Sequence, residues 1–113
     1  DLKAYLYVQD CIDAMLMAEE KMIDNINIYN LGVDSYCEVM DSVKIICNEL
    51  KIPPKLRFTG GERGWGGDNP FIFLETSKIR SLGWTPKLSI QEGVIKTINY
   101  LRKNEWVFKA NGE

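Results

Sequence analysis

Short β-type runs alternate along this chain with runs of helical period, and that order limits the fold more than any other feature. "YLYV" (residues 5–8) is aromatic and β-branched and predicts a strand. A helix is expected next, capped by Asp10 and running to about Lys21, with Ile12, Met15, Leu16 and Met22 on its apolar stripe. "INIYNL" (residues 26–31) alternates apolar and polar residues and predicts a second strand, ended by Gly32. Val39, Val43, Ile46, Cys47 and Leu50 recur at helical spacing, so a second helix is expected over residues 39–50, stopped by Pro53 and Pro54. "KLRFT" (residues 55–59) predicts a third strand, and "FIFLE" (residues 71–75) a short extended segment.

Thr76 or Ser77 can cap one helical turn, with Gly83 as its stop. Ser89 and Glu92 form an S-x-x-E capping box that opens a last helix from Ile90 to about Lys103, with Val94, Ile98 and Leu101 inward. The tail beyond is either ordered by Trp106 and Phe108 or frays. The fold class this implies is α/β: a small mixed unit, a few strands covered by helices. A length of 113 residues suits one domain, residues 1–113, and no more.

Composition removes several classes of function. Net charge is −2, with no basic stripe, so the footprint of a nucleic-acid binder is missing. No apolar run reaches the length of a membrane span, and the N-terminus does not resemble a signal peptide. The chain contains no histidine, which excludes Ser-His-Asp and Cys-His nucleophile systems and histidine metal ligands within it. Cys11, Cys37 and Cys47 are odd in number and include no C-x-x-C, so free thiols in a reducing cytoplasm are expected rather than a zinc or redox site. The chain opens without methionine inside an expected strand, which points to a piece of a longer protein.

The stretch "FTGGERGWGGDNP" (residues 58–70) holds five glycines between Gly60 and Gly67, and Gly61, Gly64 and Gly67 fit G-x-x-G-x-x-G. A dinucleotide-binding turn needs a helix opening straight after the third glycine. Here Asp68, Asn69 and Pro70 follow, then an aromatic run, and the Asp68 charge would repel a pyrophosphate. The dinucleotide reading is therefore rejected. A plain surface loop is the bland alternative, but flexibility alone does not call for Arg63, Trp65 and Asp68 together. An arginine fork suits a diphosphate, a carboxylate suits a ribose diol, and an aromatic ring can stack on a base. Glycines let the backbone come close to such a ligand.

"KAYLYVQD", "RGWGGD" followed by a proline, and "LETSKIRSLGWTPKLSIQEGV" together resemble the motifs of extended short-chain dehydrogenases/reductases that act on nucleotide-sugars, in the right order and over nearly the whole chain. The UDP-glucose 4-epimerase-like members are the most similar. The resemblance is to their C-terminal, substrate-binding part. It implies that NAD is held by a separate N-terminal Rossmann domain carrying a Tyr-x-x-x-Lys pair. No tyrosine here has lysine four positions on, so no catalytic residue is expected in this chain. The resemblance places Lys3 and Arg63 at the diphosphate of a nucleotide-sugar such as UDP-glucose, and Asp68 at the ribose hydroxyls. Trp65 joins them as a substrate-binding candidate. It also implies that Asp10 caps its helix, that Glu75 orients the Ser77 turn, and that Trp84 and Pro86 pack the last helix.

The function this implies is the UDP-holding portion of an NAD-dependent epimerase, cytoplasmic and homodimeric when full length, touching neither nucleic acid nor membrane. A 4,6-dehydratase or reductase of the same family is the near alternative. A non-catalytic ligand-binding or interaction module is the alternative of another class. A unit cut from its Rossmann partner would expose an apolar flank and self-associate weakly.

Overall fold

The computed structural model describes residues 2–61 and 71–112. Its elements are β1 (Leu2–Lys3), α1 (Val8–Glu20), β2 (Cys37–Glu38), α2 (Val39–Leu50), α3 (Ser77–Arg80), α4 (Ile90–Lys103) and α5 (Trp106–Ala110). The fold is mixed α/β, and among the described residues the sheet is one antiparallel ribbon, Leu2 opposite Glu38 and Lys3 opposite Cys37. Helices α2 and α4 pack on each other. A separate core gathers Ala14 of α1, Ile79 of α3 and Trp84, with Leu6, Met17, Ala18, Tyr29, Leu31 and Leu82 around it.

Helices α2 and α4 fall where the sequence places them. Ser89 Oγ accepts from the Glu92 amide at 3.1 Å and Glu92 Oε1 from the Ser89 amide at 3.1 Å, so the expected capping box forms. These bonds to Ser89 hold the exposed Glu92 carboxyl below its ordinary range. A lowered folded value means that the contribution is present above the ordinary carboxylate range and lost as pH falls through that lowered value. Ser89→Ala is expected to cost about 1 kcal/mol. It should also return Glu92 toward an ordinary titration, which an NMR titration of the side chain would read.

None of the three predicted strands forms. Residues 5–7 lead into α1, because Tyr7 is already the extended residue before the first helical turn. Residues 26–31 and 55–59 belong to no ladder among the described residues. The ribbon instead uses Leu2–Lys3 and Cys37–Glu38, which carry no alternating signal. The tail takes the ordered alternative as α5, with Trp106 Nε1 donating to Asn104 Oδ1 at 3.2 Å.

The apolar stripe of α1 is also reversed. Ile12, Met15, Leu16 and Met22 are exposed, and the face toward the core is Asp10, Ala14, Met17 and Ala18. Two small alanines let the helix approach the Trp84 ring closely, which the branched side chains on the other stripe would prevent. Asp10 is no cap. It lies in the first turn, 2% exposed, and its carboxylate accepts from the amides of Lys87 (3.1 Å) and Leu88 (3.2 Å). Trp84 likewise packs α1 and α3 rather than the last helix, and its Nε1 donates to the Asp10 carbonyl at 2.9 Å.

Candidate functional site

Lys3 is the one sequence-predicted site residue among those described. Its strand partner is Cys37, next to Tyr36. The Tyr36 ring meets Phe71 edge-on, with centroids 5.3 Å apart, and Phe71 stacks on Phe73 at 6.0 Å. Phe71 is the first described residue after the glycine stretch. On its other side the chain leaves through Gly60 and Gly61, whose φ angles of 74° and 103° are left-handed and suit glycine. The ribbon bearing Lys3 is thereby joined, through Tyr36, to the foot of the glycine loop. Arg63, Trp65 and Asp68 lie outside the described residues.

Tyr36, Phe71 and Phe73 all remain exposed, so a row of three aromatic rings stands open beside the loop. Sequence reasoning did not single these residues out. Phe71 and Phe73 read as an ordinary extended segment, and Tyr36 sits in no motif. No sequence signal joins them, since Tyr36 lies on the far side of α2 from the glycine stretch while Phe71 and Phe73 directly follow it.

The "SKIRSLGW" stretch builds structure rather than chemistry. Glu75 Oε1 accepts from the Ser77 amide at 2.7 Å and from the Ser77 hydroxyl, so it orients that turn as expected. Lys78 Nζ donates to the Ile28 carbonyl at 2.8 Å and lies 4.8 Å from the Tyr29 ring centroid. Arg80 Nε donates to Thr76 Oγ1 at 2.8 Å, and Arg80 Nη2 pairs with Asp34 at 2.8 Å. Gly83, with φ of 102°, ends the turn, and Lys21 Nζ reaches the Leu82 carbonyl at 2.6 Å. Lys21, Lys78 and the Arg80–Asp34 pair tie residues 21–34 to the turn, while Glu75 and Thr76 brace the turn from within.

An apolar cavity of about 460 Å³ opens between residues 5–8 and α4, floored by Ile46, Val94, Ile98 and Leu101. Gly93 admits Tyr7 there, since an added Cβ would lie 3.2 Å from Tyr7 Cβ. Nothing in that lining suits a charged ligand. Cys11, Cys37 and Cys47 are half-buried free thiols. Among the described residues no cluster of acids and cysteines could hold a metal, and no helix is long and apolar enough to cross a membrane.

No family model matches the chain. A UDP-glucose 4-epimerase of Lactobacillus helveticus is 32% identical over 103 residues, covering 86% of this chain and 29% of its own length. A trifunctional UDP-glucose 4,6-dehydratase/UDP-4-keto-6-deoxy-D-glucose 3,5-epimerase/UDP-4-keto-L-rhamnose-reductase of Arabidopsis thaliana is 27% identical over 113 residues, 99% of this chain and 17% of its own. A solved UDP-galactose 4-epimerase superposes with a TM-score of 0.76 and 30% identity, over 92% of this chain and 34% of that one. This chain is a homologue of the nucleotide-sugar epimerases and dehydratases. It matches them as a fragment of an extended short-chain dehydrogenase/reductase would, spanning about a third or less of their length.

In the described chain after the glycine loop, residues 71–76 are in no helix and the first helix opens only at Ser77. The described residues thus hold no strand–turn–helix cradle for a pyrophosphate.

Proposed function

We propose that this chain is the C-terminal, UDP-holding portion of a nucleotide-sugar 4-epimerase, with NAD and the proton-transfer pair carried elsewhere in the same polypeptide. The observation that carries this reading is the junction of the Lys3 ribbon with the foot of the glycine loop, through the Tyr36–Phe71 contact. In this reading Lys3 would bring a cation toward the loop whose Arg63 would grip the diphosphate and whose Asp68 would accept from the ribose hydroxyls. Trp65 would add a stacking surface for the base. The names of the epimerase relatives support the substrate class. Arginine can hold two phosphate oxygens at once, whereas Lys3 acts as a point charge. Arg63 should therefore dominate affinity.

In this role the chain holds the nucleotide while the sugar reacts, so its contacts are equally strong before and during the chemistry. Such uniform binding lowers KM without raising kcat. The test uses the full-length gene product. Calorimetric titration with UDP should show affinity falling about 10- to 100-fold in Arg63→Ala, the range of one charge-assisted contact. NAD affinity should stay unchanged. Equal loss of both would remove Arg63 from the nucleotide-sugar site. Incubation with UDP-glucose should yield UDP-galactose. A 4-keto-6-deoxy product would instead favour the dehydratase reading, which the Arabidopsis relative supports.

A further inference from the structure

The apolar side of α4 is larger than its packing on α2 requires. Val94, Ile98 and Leu101 wall a cavity of about 460 Å³, with Ile46 of α2 at its base and Tyr5 and Tyr7 opposite. That size falls within the roughly 300–1,000 Å³ of small-molecule sites, which are mostly apolar and largely formed before the ligand arrives. One wall is fixed in place. Tyr7 sits so close to α4 that a Cβ added at Gly93 would lie 3.2 Å from Tyr7 Cβ and 3.7 Å from its ring. Only glycine at position 93 allows that approach without a shift of Tyr7.

The chemistry of the lining selects the occupant. Two of its hydroxyls are already engaged: Ser89 Oγ accepts from the Glu92 amide at 3.1 Å, and Thr97 Oγ1 donates to the Gly93 carbonyl at 2.8 Å. A peptide segment laid here would meet only the two tyrosine hydroxyls, while its backbone needs a partner at every residue. An aliphatic chain carries no such groups. Charge stands at one side only. Lys96 is exposed, and its Nζ lies 5.7 Å from the Tyr7 ring centroid. Among the described residues no ion pair takes this lysine, and Glu92, one turn earlier, accepts from the Ser89 amide. The lining contains no carboxylate to repel an anion.

We propose that this cavity is a binding site for a medium-chain aliphatic carboxylate, with the chain between Tyr5, Tyr7 and α4 and the carboxylate at Lys96. Burial of the chain supplies the affinity, which rises with each methylene removed from water. Lys96 supplies a point charge that favours the acid over an alcohol of the same length. None of the residues of the proposed nucleotide site takes part, so the site stands apart from the reading of this chain as a UDP-holding unit.

The test is calorimetric titration of the full-length gene product with hexanoate, octanoate and decanoate, in the absence of nucleotide. Saturable binding is expected, tightening about 4-fold for each added methylene. Val94→Phe takes up space in the cavity and should weaken decanoate about 10-fold, the equivalent of roughly two methylenes displaced. Lys96→Ala, at an exposed position that the fold does not need, should weaken octanoate about 2- to 5-fold, the range of an exposed ion pair. It should leave octanol unchanged. No saturable binding to the parent, or an affinity independent of chain length, would overturn the site and mean that another part of the polypeptide or a partner protein fills the cavity. Octanol binding as tightly as octanoate would overturn the assignment of the carboxylate to Lys96. Either failure leaves the proposed function standing, since no nucleotide enters the titration.

Discussion

Trp84→Ala is expected to remove about 3–5 kcal/mol of folding stability, the cost of deleting a large buried aromatic side chain. Trp84 is 2% exposed and joins two helices that are distant in sequence. Its ring closes over Ala14 of α1 and Ile79 of α3, and the Arg80 guanidinium lies 5.9 Å from the ring centroid. Ala14 and Ala18 are too short to collapse into the space, so most of the cavity would remain. Buried apolar side chains are few among the described residues: Ala14, Val33, Ile79, Trp84 and Ile90. A domain with a total stability of about 5–15 kcal/mol cannot lose such a share without losing much of its folded population. Trp84→Phe keeps one ring of apolar volume and gives up the bond to the Asp10 carbonyl, so it should cost less, about half as much. The measurement is the urea midpoint of each variant at constant slope. A midpoint for Trp84→Ala within 0.5 kcal/mol of the parent (the range of ordinary surface changes) would show that this ring does not organise the fold.

The helices were legible because their signals are local. The Ser89–Glu92 box is written in four consecutive residues and forms as expected. Gly83 stops its turn because no other residue adopts its φ of 102° without strain. Strands depend on partners, and that is where the sequence misleads. Residues 26–31 alternate correctly and are pleated in burial, but no neighbouring strand is present among the described residues to make a ladder. The strand signal was true of the side chains and silent about the partner. Leu2–Lys3 and Cys37–Glu38 pair although neither carries an alternating signal. Helix α1 shows another limit: it has two candidate stripes at helical spacing, and hydropathy favours the one with Ile12, Met15 and Leu16. The core selects the stripe with Ala14 and Ala18, because Trp84 needs a shallow surface. Lys3 enters the proposed site only through the resemblance. The Tyr36–Phe71–Phe73 row was not legible, since its members come from two separate segments.

Asp10→Ala is expected to cost about 2–4 kcal/mol, more than the loss of the helix cap that its place in the sequence predicts. Its two carboxylate oxygens accept from consecutive amides, Lys87 and Leu88, which lie 77 and 78 positions further on. A cap lost from a helix end costs about 1 kcal/mol, since water can take its place. Here Asp10 is 2% exposed, so alanine would leave two amide donors in a pocket that water does not reach easily. Its charge also sits in the first turn of α1, where the helix dipole favours it. Asp10→Asn preserves the shape and one good acceptor, and should recover about half of the loss. The Trp84 indole donates to the carbonyl of the same residue, so the two positions form one junction between α1 and the loop leading into α4. Their effects should therefore not add. A double-mutant cycle of Asp10→Asn with Trp84→Phe should give a coupling of about 0.5–3 kcal/mol, as for residues that share partners. Strict additivity, with Asp10→Ala costing no more than a cap, would return Asp10 to the role of a local helix end. The substantial loss expected instead would make it the tie that sets the angle of α4, and with it the shape of the apolar cavity that α4 walls.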